Sequence, residues 1–221
     1  MYNNPLATFR VKSYHNNMCD KRTLKLYNSE AEKYISDWDS QPTPTDIQNL
    51  ILKFFLKNHP TCDIGFGSAR ELAWMHAQGF SVCGYEASEK FIHLASKKYP
   101  QIKFYKSLLP EISEIQDQSF AQVFCQTVIQ HFEKSDALRS ASNLVRILKP
   151  GGVLILSWRH PSSDSIQQER DSAGRLYTRL SLKEIQESIS KNYSSKILEI
   201  HENKSLSSGK TITNLVLQKT E

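Results

Sequence analysis

Apolar residues recur in two rhythms along the chain, and the change falls near residue 60. Before it, Leu24, Tyr27, Ala31, Tyr34 and Trp38 return at helical spacing, which predicts a helix over 24–38. A second helix is predicted from Thr43 to about Asn58. Thr43 can cap it, Pro44 suits its first turn, Asp46 favours the positive end of its dipole, and Pro60 stops it.

Beyond residue 60, short apolar runs alternate with amphipathic stretches. Strands are predicted at 61–64, 81–86, 101–105, 120–125 and 152–158, with helices at about 67–78, 88–98 and 133–148 between them. Runs such as 122–125 and 153–156 are apolar without alternation, as expected of strands buried on both faces of a parallel sheet. Lys149-Pro150-Gly151-Gly152 is predicted to break the helix before it and turn the chain into the next strand. A last helix at 182–189 precedes two strands, 196–201 and 211–218, joined by a polar turn around Gly209.

The series predicts an α/β fold. It is a Rossmann-like, doubly wound three-layer sandwich whose mostly parallel seven-stranded sheet ends in a C-terminal antiparallel hairpin. Residues 1–23 lack any period and are expected to be a flexible arm, followed by N-terminal helices at 24–59 and the main domain at 60–221. The polar insertion 159–180, which holds Arg175 and Arg179, reads either as a substrate lid or as a solvated loop.

With 221 residues and 39% hydrophobic content, the chain can bury one sizeable core. No run approaches the ~18 apolar residues of a membrane span, and no signal peptide is expected, so a cytoplasmic protein without membrane contact is predicted. A net charge of +5, spread along the chain, weighs against a nucleic-acid partner. Cys19, Cys62, Cys83 and Cys125 show no C-x-x-C spacing, so neither a zinc site nor a disulfide framework is suggested.

Candidate chemistry begins at the glycines. Asp63-Ile64-Gly65-Phe66-Gly67 lies where a strand meets a helix, the place where missing Cβ atoms let backbone approach a ligand. Glu86 closes the next strand, where an acid accepts hydrogen bonds from ribose hydroxyls in this architecture. An adenosine-type cofactor follows. Arg70 occupies the sixth position of the dinucleotide fingerprint, and no Gly-Lys-Ser/Thr of a P-loop is present. Asp63 would repel a pyrophosphate and suit a cation, so charge favours S-adenosylmethionine over NAD.

Asp63-Ile-Gly-Phe-Gly, Gly84-Tyr-Glu86-Ala-Ser and Leu148-Lys-Pro-Gly-Gly152 resemble the successive motifs of class I S-adenosylmethionine-dependent methyltransferases. Gly67-Ser-Ala-Arg70-Glu71-Leu-Ala-Trp74, Leu109-Pro110, His131-Phe132 and Trp158-Arg159-His160-Pro161 look like a subgroup of small bacterial methyltransferases. Tyr27-Asn-Ser-Glu-Ala31-Glu-Lys-Tyr34 resembles the N-terminal helix that often covers the cofactor there. The chain departs from the motifs with Ala69 in place of a third glycine, and with Lys106-Ser107 and Ala121 in place of acids.

The resemblance implies S-adenosylmethionine as cofactor and a small-molecule methyl acceptor. RNA, protein or a non-catalytic cofactor-binding role are the alternatives. Cofactor-binding residues are then expected at Tyr27, Tyr34, Asp63, Gly65, Gly67, Arg70, Glu86, Ala87, Ser107, Leu108 and Gln126. Three further residues sit where strands end at the carboxyl edge of the predicted sheet. His131 is read as base, acceptor orienter or cap of the following helix; Arg159 as a clamp on an acidic acceptor or a surface ion pair; and His160 as its companion. The Asn/Asp-Pro-Pro-Tyr/Phe run of enzymes that methylate base amines is replaced by Cys125-Gln126-Thr127-Val128, which again weighs against nucleic acid.

Overall fold

A computed structural model describes residues 20–160, 167–205 and 208–221. Its core is a seven-stranded sheet in the order β3-β2-β1-β4-β5-β9-β8. The strands are β1 (Pro60–Ile64), β2 (Ser81–Glu86), β3 (Lys103–Lys106), β4 (Phe120–Gln126), β5 (Leu148–Arg159), β8 (Ser195–Lys204) and β9 (Thr211–Lys219). The first five pair in parallel, while β9 runs antiparallel to both β5 and β8. This is the predicted doubly wound sandwich with its closing hairpin.

Two apolar layers flank the sheet. One packs α6 (Lys134–Arg146) and α7 (Leu182–Ser190) through Ala137, Ala141, Leu144, Ile185 and Ile189. The other packs α3 (Thr45–Phe54), α4 (Arg70–Ala77) and α5 (Glu89–Lys98) through Ile47, Ile51, Leu72, Met75 and Phe91. Cys62, Cys83 and Cys125 are free thiols pushed upward in pKa by burial, as small core hydrophobes should be.

Several boundaries differ from expectation. The single helix predicted over 24–38 is two, α1 (Lys21–Ser29) and α2 (Ala31–Asp39), because Glu30 leaves helical geometry at φ −116°, ψ 21°. The bend gathers Tyr27 and Trp38 onto the ring of Phe91, at centroid distances of 5.9 and 5.6 Å. The expected arm falls mostly on 1–19, outside the described residues. Its last four residues are ordered, with Asp20 accepting from the Thr23 N–H at 2.8 Å to cap α1.

Thr43 makes no side-chain cap; Pro44 holds that position, and α3 ends four residues early where Phe55 turns extended and buries its ring. Helix α4 starts at residue 70, because Gly67 and Ala69 are left-handed. The glycine breaker at 149–152 lies inside β5, where it shifts the register against β4 instead of turning the chain.

Insertion 159–180 is not a solvated loop over its described part. It forms a hairpin of β6 (Gln168–Arg170) and β7 (Leu176–Thr178), with all three β7 residues buried.

Candidate cofactor and acceptor site

Two cavities lie at the carboxyl edge of the parallel strands and share one neck. Trp38, Gly65, Gly67, Gln126 and Thr127 line both. The smaller, about 110 Å³, runs from the neck over Glu86, Ala87, Ser107 and Leu108 and is roofed by Thr23, Leu24 and Tyr27 of α1. The larger, about 330 Å³, runs the other way, over Asp63, Arg70 and Glu71 to Lys204 and Ile212.

The glycines shape the neck. Gly65 has φ +79°, and a Cβ there would collide with Val128, which follows β4. Gly67 has φ +53°, and its Cβ would stand 2.9 Å from the Trp38 ring. Neither position accepts a side chain without displacing a wall of the site.

Glu86 is held in place by the backbone. One carboxylate oxygen accepts from the Ala87 and Ser88 N–H groups at 2.8 and 3.0 Å, and the other from Gly67 N–H at 3.1 Å. Desolvation nevertheless raises its pKa. Asp63 is only 3% exposed, and burial together with the nearby Glu71 and Glu86 pushes its carboxyl well above the usual range. Among the described residues no donor or cation faces it, so the site holds an acid in want of a positive partner.

Arg70 is committed elsewhere. Its Nε donates to Glu71 at 2.8 Å and its Nη1 to the Trp38 carbonyl at 2.6 Å, tying α4 to the end of α2. Ala69 is fully buried at φ +59° and lines neither cavity, so its methyl does not narrow them. Ser107 donates to Glu114 at 3.0 Å, which brings an acid near the end of β3 that no local motif announced.

His131 sits in a short 3-10 turn (Ile129–His131), buried, with both ring nitrogens engaged. Nδ1 lies 2.6 Å from the Leu176 carbonyl, so it must carry the proton; Nε2, 3.1 Å from the Tyr27 hydroxyl, then accepts. Burial lowers its pKa to about 4, so the ring is neutral at ordinary pH. It is not the cap of α6, whose N-cap residue is Glu133, without a side-chain cap bond.

The roof over this histidine is one bonded unit. Thr23 Oγ1 accepts from Leu176 N–H at 2.9 Å, and Arg170 holds both oxygens of Asp20 at 3.1 and 2.7 Å, lowering that acid's pKa to about 2. Arg175 pairs with Asp171 and lies over the Tyr34 ring at 5.3 Å. Tyr34 itself packs behind the wall, edge-on to Tyr27, and lines neither cavity. Arg159 stacks on Tyr177 at 4.0 Å, without an ion pair among the described residues. His160 turns outward to Thr213, 2.9 Å away. Neither of the last two lines a cavity.

Residues 62–156, which carry the glycine loop, Glu86 and most of β5, match a family model described as a methyltransferase domain. Over that stretch the chain is similar to a methyltransferase domain. Over 74 residues it is 35% identical to the demethylmenaquinone methyltransferase of Chlorobaculum parvum, a match covering 34% of this chain and 30% of that protein. The chain thus spans less than a third of that curated relative's length. A 1,6-didemethyltoxoflavin-N1-methyltransferase from Burkholderia thailandensis, solved with S-adenosylhomocysteine, superposes with TM-score 0.70 at 17% identity, over 90% of this chain and 88% of that one. The [4+2]-cyclase SpnF superposes with TM-score 0.69 at 13% identity, over 89% and 94% of the two chains. At such identities these two neighbours speak for the fold of the methyltransferase domain alone.

The cofactor of this domain class is S-adenosylmethionine, and the residues suit it: an unpartnered buried Asp63 for positive charge, an acid at the end of β2 for ribose, and a glycine neck between two spaces. Trp38, Thr127, Val128 and Lys204 complete the walls beyond the expected set. Only Trp38 carried a sequence signal, as a member of the aromatic stripe shared with Tyr27 and Tyr34. No helix among the described residues is long and apolar enough to cross a membrane.

Proposed function

We propose that the protein transfers a methyl group from S-adenosylmethionine to a small-molecule acceptor. Asp63 carries this reading: an almost buried acid at the cavity wall, with Glu71 and Glu86 near it and its pKa raised, makes sense when a cation docks against it. When bound, S-adenosylmethionine supplies a methyl group already activated by positive sulfur, so the chain need only bind, align and keep water away.

In this reading the smaller cavity takes the nucleoside, with Glu86 reaching the ribose and Ala87, Ser107 and Leu108 bordering the base. The glycine neck takes the sulfur, and Asp63 faces its charge. Residues 24–59 act as the lid, through Tyr27 and Trp38. His131 orients Tyr27 and hence the lid; a ring that stays neutral with a lowered pKa is a poor proton acceptor.

Calorimetry with S-adenosylhomocysteine tests the proposal, and binding that Glu86→Ala weakens is expected. NADH binding in its place would overturn it. A second reading, a protein that holds the cofactor without transferring methyl, draws support from SpnF, a cyclase of the same fold. Cofactor binding with no label transferred to any component of a cell extract favours that reading.

A further inference from the structure

We infer that Thr127 holds the acceptor atom against the methyl group, through a hydroxyl that a strained turn at the end of β4 sets at the neck. The inference rests on the methyl-transfer reading above.

Sulfur geometry gives the direction. A sulfonium is pyramidal and carries three carbons. In the proposed pose the ribose branch enters the smaller cavity toward Glu86, and the amino-acid branch enters the larger one over Asp63, Arg70 and Glu71. The third carbon, the methyl, therefore leaves the neck at an angle to both cavities, and the acceptor meets it there, in line with the bond that breaks. Of the residues lining both cavities, Gly65 and Gly67 offer backbone alone, and the Trp38 ring closes over Gly67. Gln126, the last residue of β4, and Thr127 after it form the polar wall.

Conformation singles out Thr127. Among the described residues, Asn58, Ala69, Ile112, Gln118 and Thr127 are the non-glycines with positive φ, and only Thr127, at φ +55°, lines either cavity. A β-branched residue is rarely left-handed, and such strain persists only where the surroundings impose it. Here they do. The Thr127 N–H donates to the Ser157 carbonyl at 3.0 Å and to the Ser157 hydroxyl at 3.1 Å. Ser157 is only 1% exposed, fixed in β5 opposite Gln126. Glycine would make the same turn without strain, so the turn alone does not account for a threonine. The hydroxyls of Thr23, Thr61, Thr178 and Thr213 are all bonded, whereas that of Thr127 has no hydrogen-bond partner among the described residues. His131 is not free for this task, because both its ring nitrogens are engaged.

A neutral hydroxyl can accept a hydrogen from the attacked atom or donate to one of its lone pairs, leaving another lone pair aimed at the methyl carbon. That carbon bonds to the attacked nitrogen, oxygen or sulfur as its bond to the donor sulfur breaks. The electron pair of the broken bond stays on the donor sulfur, and any proton on the attacked atom leaves to water.

The small-molecule fraction of a cell extract, incubated with methyl-labelled donor and the full chain, gives the test. Thr127→Val keeps the shape and removes the hydroxyl, so labelling should fall at least about tenfold while S-adenosylhomocysteine affinity stays within about twofold. Thr127→Ser, which restores the hydroxyl, should keep at least about a third of the labelling. As a readout apart from turnover, Thr127→Gly should raise the melting temperature of the ligand-free chain by about 2–4 °C, yet label as poorly as the valine variant. No label with the parent, valine or glycine variants that label as well as the parent, or a valine variant that loses S-adenosylhomocysteine binding along with labelling would each overturn the inference. A glycine variant that melts no higher than the parent would overturn the strained turn on which it stands. Failure of the parent chain to bind S-adenosylhomocysteine would instead sink the methyl-transfer reading itself.

Discussion

The two cavities that meet at the glycine neck are built on different plans. The smaller has its floor in short stretches directly following β1, β2, β3 and β4, with Glu86 pinned by three backbone N–H groups, under a roof from α1 and Trp38. The larger adds, to residues after β1 and β4, walls from segments far apart in the chain, residues 41–47 before and within α3 and Asn203, Lys204, Ser205 and Ile212 of the closing hairpin. The floor of the smaller is set by local backbone geometry at the strand ends, while the far wall of the larger depends on how α3 and the closing hairpin dock.

Substitutions can break this contrast, and Gly65→Ala should have the largest effect. It forces a methyl onto Val128 at a left-handed φ, so a stability loss of about 3 kcal/mol or more and loss of S-adenosylhomocysteine binding are expected, read by thermal melting and calorimetry.

Asp63→Asn should separate stability from function. It removes an unpaired buried acid, so the ligand-free protein should gain about 1–3 kcal/mol at neutral pH while cofactor affinity falls. The sign follows from linkage. An acid whose folded pKa is raised binds more protons when native, so its contribution falls as pH rises from the ordinary carboxylate range through the raised value. The asparagine variant should lose that slope in a melting series.

His131 works in the opposite direction. Its folded pKa of about 4 lies below the unfolded value near 6.5, so the unfolded chain takes up the proton first and stability drops as pH falls between those values. His131→Gln should flatten that part of the profile relative to the parent and cost about 1–3 kcal/mol through the lost bonds to Tyr27 and Leu176. An unchanged profile would mean that the ring is not buried between the roof and the sheet.

The smallest effect is expected from Arg170→Ala, at about 0.5–1 kcal/mol, because the bidentate pair with Asp20 lies partly in solvent. Faster release of S-adenosylhomocysteine in stopped flow, with little change in melting temperature, would tie the hairpin to the lid.

How far the sequence could be read follows the same division. Gly65, Gly67, Glu86, Ala87, Ser107 and Leu108 were legible because each sits within a few residues of a strand end, where topology alone fixes its place. Gln126 was legible for the same reason. Lys204 was not, since nothing local says that the tip of a late hairpin reaches back to β1. Helical spacing revealed the aromatic stripe of Tyr27, Tyr34 and Trp38 but not the bend at Glu30, which is set by packing against Phe91. Arg159 and His160 end β5 at the right edge, yet their side chains turn to Tyr177 and Thr213; strand position fixes where a residue stands, not what it faces.

Helix α3 has a double allegiance. Its start walls the larger cavity, while Ile47, Leu50 and Ile51 complete the same apolar layer as Leu72, Met75 and Val216. Its outer rim can therefore change without disturbing the core, while its underside is tied to the sheet it shields. Trimming the chain to 60–221 would strip that layer bare and yield sticky, aggregating protein, so whoever redesigns that cavity must graft the rim and leave the keel.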